Sequence, residues 1–425
     1  MPELINHPAK TAVLSGTPVT NTMKEPERVL LLGIESDESL DELAALVDTA
    51  GGLVVGRVFQ KRENIDANTY VGKGKLDEVK EAIAENKADL VVCDDELNGV
   101  QVRNIADYVK SDVIDRTELI LDIFAQHAKT REGALQVELA LLVRSRARLV
   151  GAGKSLSRQA GGIGTRGPGE SKLEIDRRRI RERVALLREE IAQLARDRET
   201  RRATRRENAV PSFALVGYTN AGKSTLINLL TDAGVLAENK LFATLDPVTR
   251  KLKLPSGETC LITDTVGFIR KLPTALIDAF HSTLEEAAIA DALVIVSDAS
   301  SEHLAEHRGI VMETLVRLKA DNKPMIELLN KTDVAEVDAS YVNAVPISAL
   351  TGAGIDALFA RMDEVVASMR KEAEFLIPYA KGDVLAFLHN NAVIINEAYE
   401  EDGTRVRVSG TAQVIGKAKR MRGEE

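Results

Sequence analysis

The string Gly217-Tyr218-Thr219-Asn220-Ala221-Gly222-Lys223-Ser224 follows the apolar run Phe213 to Val216 and precedes the helical pattern Thr225 to Leu230. Strand, G-x-x-x-x-G-K-[ST] loop and helix in that order read as a phosphate loop. The loop turns its backbone N–H groups onto a polyphosphate, Lys223 neutralises the β/γ oxygens, Ser224 and a magnesium ion belong together, and the helix start beside Thr225 adds its positive dipole end. A second string, Asp264-Thr265-Val266-Gly267, ends the apolar run Cys260 to Thr263. A nucleoside triphosphatase needs a carboxylate over the metal there and a glycine N–H on the γ-phosphate. The expected catalytic set is therefore Lys223, Asp264 and Gly267, with Asp264 reaching Mg²⁺ through water.

Asn330-Lys331-Thr332-Asp333 closes a further buried-strand run, Met325 to Leu329. The Asp333 carboxylate suits a base that presents a ring N–H and an exocyclic amine, which is guanine; adenine has no donor at N1 and would leave the carboxylate without partners. Ser348-Ala349-Leu350, after Val345 to Ile347, is the loop expected to offer a backbone N–H to the guanine oxygen. The predicted ligands are thus GTP and GDP.

Between phosphate loop and Asp264 lies Phe242-Ala243-Thr244-Leu245-Asp246, the expected switch, where Thr244 would add a hydroxyl to Mg²⁺; Thr249 is the competing threonine. After Gly267 comes Phe268, whose ring cannot orient an attacking water. Asn220 offers an amide oxygen at a position suited to K⁺ beside the phosphates. Slow intrinsic turnover, raised by a partner or by K⁺, is the mechanistic expectation, with catalysis resting on positioning and charge.

The elements that must hold these strings need more than one core: 425 residues suggest about three domains. No apolar stretch nears the roughly 20 residues of a membrane span, and Met1 to Pro26 lacks the pattern of a secretory signal. Cytoplasmic location without stable membrane insertion is expected, a peripheral membrane association being left open. Cys93 and Cys260, each in an apolar run, read as buried reduced thiols. His303 and His307 at helical spacing lack a third ligand and read as no metal site. Net charge is −9, yet Arg144 to Arg206 holds 19 Arg/Lys against 8 Asp/Glu. Such segregation suggests a directed nucleic-acid contact.

Along the chain the expected order is a disordered tail (1–26), an N-terminal parallel α/β domain (27–130), a basic helical hairpin with a Gly-rich loop (131–206), a P-loop GTPase domain (207–370) and a small C-terminal α+β domain (371–425). In the first domain, runs Val29 to Ile34, Leu53 to Phe59, Leu90 to Cys93 and Asp112 to Asp115 alternate with helical patterns. There, Gly72-Lys73-Gly74-Lys75 reads either as an anion site or, more simply, as an exposed turn. In the hairpin, Leu173, Ile180, Val184, Leu187, Ile191 and Leu194 recur at seven and then at alternating four and three residues, a coiled-coil seam. Val150 to Ser171 between its helices reads as a loop that moulds to RNA through Arg158, Arg166 and Lys172, or else as a linker. Gly151-Ala152-Gly153-Lys154-Ser155 within it is not a second phosphate loop, because Arg148 stands where the first glycine should be. The last ten residues read as basic and loose.

Residues 28 to about 410 resemble the HflX family of GTPases. The strings that carry the resemblance are Gly161 to Glu170, the Leu-Glu-x-Asp-Arg-Arg run Leu173 to Arg178, and Phe242-Ala243-Thr244-Leu245-Asp246-Pro247. The resemblance implies a Mg²⁺-dependent GTPase, expected as a monomer, that binds the large ribosomal subunit and its RNA. Its hairpin loop would point toward the peptidyl-transferase region, and it would split stalled or idle ribosomes under stress. A reading from another class is a GTP-switched regulatory or assembly module whose hydrolysis only times partner release; ribosome-stimulated turnover separates the two. A third is a small-RNA-binding protein whose affinity ignores the nucleotide.

Overall fold

The computed structural model describes residues 25–61, 65–159, 168–207, 210–231, 241–242, 246–271, 273, 281–336 and 341–423. They form two compact units: one of residues up to 188 together with 241–242, 271 and 273, the other of the remainder. The chain is a multidomain α/β protein, as its alternation of strand and helix patterns implies.

In the first unit, β1 (Arg28–Gly33), β2 (Leu53–Phe59), β3 (Leu90–Cys93) and β4 (Asp112–Asp115) make a parallel sheet in the order β2-β1-β3-β4. Runs such as Leu90-Val91-Val92-Cys93 lack polar alternation because helices cover both faces of a parallel sheet, and all four residues are buried. The helices are α1 (Asp37–Ala50), α2 (Lys73–Asn86), α3 (Gly99–Val109) and α4 (Arg116–His127). Helix α3 starts where Asn98 and Gln101 form a reciprocal capping box. Gly72 caps α2 through its backbone conformation, with no side-chain hydrogen bond.

At the carboxyl edge of this sheet Asp94, fully buried, accepts from Arg116 at 2.8 Å and from Ser39. Lys271, which belongs to this unit, donates to Asp94 at 3.0 Å, Asp95 at 2.7 Å and Glu35 at 2.7 Å. Breaking one partner out of such a buried pair costs about 3–5 kcal/mol, so these charges fix the edge in place. The N–H of Leu241 donates to Thr49 Oγ1 at 3.2 Å, and the ring of Phe242 meets Phe124 edge-on at 4.8 Å.

Two long helices follow, α5 (Arg131–Gln159) and α6 (Pro168–Glu207). The bidentate pair of Arg183 with Glu138 at 2.8 and 2.9 Å ties them together. Val184 and Leu187 of the expected seam are buried, and Ile180, Ile191 and Leu194 are half-buried among exposed neighbours. The expected Val150 to Ser171 loop is corrected: residues 150–159 continue α5 and 168–171 open α6. The glycines that would break a helix, Gly161 to Gly167, lie outside the described residues, as do residues 1–24 of the expected tail.

The second unit holds a six-stranded sheet in the order β10-β9-β8-β5-β7-β6. Its strands are β5 (Ser212–Gly217), β6 (Val248–Lys253), β7 (Thr259–Asp264), β8 (Ala292–Asp298), β9 (Met325–Asn330) and β10 (Val345–Pro346). All pairs are parallel except β6 with β7. Helices α7 (Lys223–Thr231), α8 (His281–Ile289), α9 (Leu304–Arg317) and α10 (Ile355–Ser368) accompany it. Phe213, Leu215, Ile262, Val294, Val296, Ile326 and Leu328 supply one continuous core. Strand β5 lies between β7 and β8, so the chain leaves it on both sides, and its carboxyl end opens on the crevice where doubly wound sheets bind ligands.

The same unit carries an antiparallel sheet, β11 (Arg370–Ile377), β12 (Val393–Glu400) and β13 (Gly403–Thr411), in the order β11-β13-β12. Helices α11 (Gly382–Asn391) and α12 (Ala412–Arg422) share a core with it through Val384, Leu388, Val414, Phe375, Ile377, Val406 and Val408. Helix α12 corrects the expectation of a loose basic end: Thr411 caps it, and Lys381 donates to the carbonyl of Arg422 at 2.6 Å. Lys419, Arg420 and Arg422 sit in its last turn, where the helix dipole favours them.

Candidate nucleotide site

The phosphate loop leaves β5 at Gly217 and enters α7 at Lys223. Its tight path needs Gly222 at φ +92°, where a Cβ would lie 2.2 Å from the Asn330 side-chain nitrogen. Asn220 also takes a left-handed conformation, φ 60°. Lys223, 6% exposed, donates to the carbonyls of Gly217 at 3.1 Å and Tyr218 at 2.7 Å. Burial pushes its ammonium down to about 8, against an opposing pull from Asp264. An ammonium held in a buried loop among carbonyl dipoles is poised to exchange them for phosphate oxygens. Among the described residues the buried hydroxyl of Thr219 has no hydrogen-bond partner, a further sign of a loop shaped for a polar ligand.

Asp264, fully buried at the end of β7, accepts from Ser224 Oγ at 2.8 Å. This hydroxyl and carboxylate meet at the start of α7, the donor set of a hard cation. Among the described residues no cluster of three His, Cys, Asp or Glu side chains could hold a metal. A cation bound here would therefore complete its shell with phosphate and water oxygens, as Mg²⁺ prefers. Thr265 donates to the Leu215 carbonyl at 2.6 Å, fixing β7 against β5, and Val266 is buried. Gly267 lies so close to the loop that a Cβ would sit 2.7 Å from Thr219 Cα and 3.0 Å from Lys223 Nζ.

The strings expected to read the base converge on the same edge. Asn330, 2% exposed, donates to the Ala221 carbonyl at 2.8 Å and accepts from the N–H of Ala349 at 2.9 Å. Thr332 donates to the Ile347 carbonyl at 2.9 Å, and Lys331, at φ 69°, pairs with Asp298 at 2.6 Å. Ser348 donates to Asp333 at 2.6 Å, so one carboxylate oxygen is oriented by the neighbouring loop. Leu350 is 77% exposed and only borders the loop. Sequence pattern finds these strings by residue type; that Asn330 staples three loops together is visible only in three dimensions.

Of the expected switch, Ala243, Thr244 and Leu245 lie outside the described residues. Phe242 is buried within the first unit, and Asp246 is half-buried. Thr249, the competing threonine, is in β6 and pairs with Thr263 at 3.0 Å, an ordinary cross-strand contact. Arg158 is on α5 and Lys172 on α6, while Arg166 lies outside the described residues.

The positive balance of the hairpin is partly spent at home. Arg144 pairs with Asp115, Arg148 with Glu118 and Arg183 with Glu138. Arg179, Arg181 and Arg188 are exposed along α6, as is Arg178, which pairs with Glu182 at 3.3 Å. Charge counting missed this, since pairing depends on which acids the fold brings near. Also missed was His307, whose ring stacks on Tyr218 of the phosphate loop at 3.8 Å. Its only sequence signal is the helical spacing from His303.

A phosphate loop, a carboxylate at the next strand end and an asparagine-bearing strand end, gathered at one sheet edge, define a P-loop GTPase. Four family models match successive stretches of the chain: a GTP-binding GTPase N-terminal region over residues 37–125, its middle region over 127–205, a 50S ribosome-binding GTPase over 212–331 and an HflX C-terminal domain over 333–415. Proteins named GTPase HflX are 49% identical in Lacrimispora saccharolytica, covering 89% of this chain and 92% of that one. In Escherichia coli the identity is 40%, covering 86% and 88%. A GTP-binding protein of Sulfolobus solfataricus, solved with GDP, is 25% identical over 80% of this chain and 98% of its own, with a TM-score of 0.43. The chain belongs to the HflX family of GTPases.

Proposed function

We propose that this GTPase uses Mg²⁺ to hydrolyse GTP, binds the large ribosomal subunit in the GTP state, and splits stalled or idle ribosomes under stress in the cytoplasm. The observation that carries the reading is the match of residues 212–331 to a 50S ribosome-binding GTPase, on the segment that holds the nucleotide site. The exposed arginines of α6 support an RNA contact, because sequence-independent affinity for RNA comes largely from phosphate neutralisation. Among the described residues no helix is long and apolar enough to cross a membrane.

In this assignment the loop Gly217 to Thr225 binds the phosphates, with Lys223 neutralising the β/γ oxygens. Ser224 and, through water, Asp264 hold Mg²⁺, joined by Thr244 in the GTP state. The ion would draw charge from the phosphoryl oxygens as the bond to the leaving group weakens. Gly267 offers its N–H to the γ-phosphate. Asn330, Lys331, Thr332 and Asp333 with Ser348, Ala349 and Leu350 hold guanine, and Asn220 is assigned a K⁺ ligand.

Sedimentation with ribosomes tests the reading. Co-migration with the large subunit and loss of the intact-ribosome peak in a non-hydrolysable GTP analogue, but not in GDP, is the expected result. Ribosomes that stay intact while turnover remains unstimulated would favour a regulatory module instead.

A further inference from the structure

The segment after Gly267 is laced to the phosphate loop by three hydrogen bonds. Phe268 donates its N–H to the Gly217 carbonyl at 3.0 Å and accepts from the Thr219 N–H at 2.8 Å, a short parallel bridge. The third bond differs in kind, because the N–H of Arg270 donates to the phenol oxygen of Tyr218 at 2.8 Å. Tyr218 thus holds this segment through its side chain rather than its backbone.

The ring of Tyr218 is itself anchored. It is 7% exposed and lies parallel to the His307 imidazole of α9, 3.8 Å between centroids and 10° between planes. Burial and then the nearby Arg270 charge push His307 down to about 4, so near neutral pH the two rings stack without a charge. His307 is further oriented by Ser301 Oγ at 3.3 Å from Nδ1, and one residue earlier Glu306 takes the Arg270 guanidinium. Helix α9 therefore grips Arg270 twice, directly through Glu306 and indirectly through Tyr218.

This grip lies three residues after Gly267, which is so close to the phosphate loop that a Cβ there would sit 2.7 Å from Thr219 Cα and 3.0 Å from Lys223 Nζ. The Phe268 ring, 1% exposed, is packed away, so this residue can serve hydrolysis only through its backbone. We propose that Tyr218 is a positioning residue for GTP hydrolysis: braced on His307, it holds Arg270 and thereby keeps the Gly267 N–H beside the phosphate loop. A γ-phosphate would use that N–H, whereas GDP, which ends at the β-phosphate, is held by the loop alone. The role therefore discriminates between the two nucleotides.

The test is Tyr218→Phe, which keeps the ring and its stack and deletes one hydrogen bond. The loss of a single such bond predicts kcat lower by about fivefold and a GTP-analogue to GDP affinity ratio lower by a similar factor. GDP affinity should stay within about twofold of the parent. His307→Ala should reproduce this pattern, and His307→Phe, which restores a stacking ring, should recover the parent kcat. Unchanged kcat and affinity ratio in Tyr218→Phe would overturn the proposal. A parallel loss of GTP and GDP affinity would overturn it too, by making the ring a mere support of the loop. A His307→Phe variant as slow as His307→Ala would show that the stack does not brace Tyr218.

Discussion

The side-chain amide of Asn330 donates to the backbone carbonyl of Ala221 at 2.8 Å, joining the end of β9 to the phosphate loop. Because the same side chain accepts from Ala349, three loops far apart in sequence share one buried residue. Asn330→Ala would leave a carbonyl and an N–H buried without partners, at about 1–3 kcal/mol each. Thermal unfolding should show a loss of about 2–6 kcal/mol, with GDP affinity falling in step. An unchanged melting temperature would mean that other groups satisfy the loops.

Lys223 makes the site sensitive to pH. Its ammonium titrates near 8 in the folded protein, below the roughly 10.4 of an unfolded chain. Between these values the unfolded state binds more protons, so this group adds stability as pH rises from about 8 to about 10.5 and nothing further below 8. Polyphosphate reverses the preference, because it favours the charged amine. GDP binding at pH 8 should take up about half a proton, and affinity should decline above that pH. Calorimetry in buffers of different ionisation enthalpy reads the uptake. A Lys223→Arg variant, which stays charged, should lose it, and a parent protein with no uptake would contradict the depressed value.

Asp333 accepts from Ser348 with one oxygen, and in the proposed assignment its carboxylate accepts from guanine. Asp333→Asn puts a donor where the base presents donors. Preference should move from GTP to xanthosine triphosphate, by a factor of about 100 or more on loss of two charge-assisted bonds. Competition binding with the two nucleotides decides it, and an intact GTP preference would defeat the guanine assignment.

How much of this was legible in the sequence depends on where each signal resides. Strings such as Asp264 to Gly267 and Asn330 to Asp333 announce themselves because their chemistry is local, a strand end plus a fixed residue type. Strand β11 was not announced: Arg370, Lys371, Glu372 and Glu374 hide its alternation, and its inward residues Phe375 and Ile377 make sense only against Val406 and Val408. Its outer charges are cross-strand pairs, with Glu374 to Arg405 at 2.6 Å and Glu372 to Arg407 at 2.5 Å. Helix α12 was masked in the same way by its lysines and arginines, while Val414 and Ala418 seat it on that sheet. The stack of Tyr218 on His307 depends on the relative placement of β5 and α9, which no local pattern encodes.

The proposed potassium dependence rests on Asn220 and Phe268. The phenyl ring is buried and cannot position water, and Asn220 holds a left-handed turn at the loop apex. If its amide oxygen ligates K⁺, turnover in K⁺ should exceed that in Na⁺ at equal ionic strength, and Asn220→Ala should remove the difference. The readout is steady-state phosphate release in the two salts. Equal parent rates would leave acceleration to the ribosome alone.

The hairpin carries the last prediction. Arg144, Arg148 and Arg183 are engaged with acids of the protein, so they are poor candidates for phosphate contacts despite their share of the +11 balance of residues 144–206. Arg158, Arg166 and Lys172 flank or enter the glycine-rich stretch between α5 and α6. If each neutralises one RNA phosphate, changing all three to alanine should reduce the salt dependence of ribosome binding by about two to three units of log–log slope. Intrinsic GTP hydrolysis, measured without ribosomes, should stay the same, because the nucleotide site is built from β5, β7, β9 and their loops. Arg183→Ala serves as the contrast: it should lower thermal stability by freeing Glu138 and leave the salt slope alone. If the triple variant kept both affinity and slope, the stretch would be a linker, and ribosome contact would have to come from the exposed arginines of α6 or from another surface.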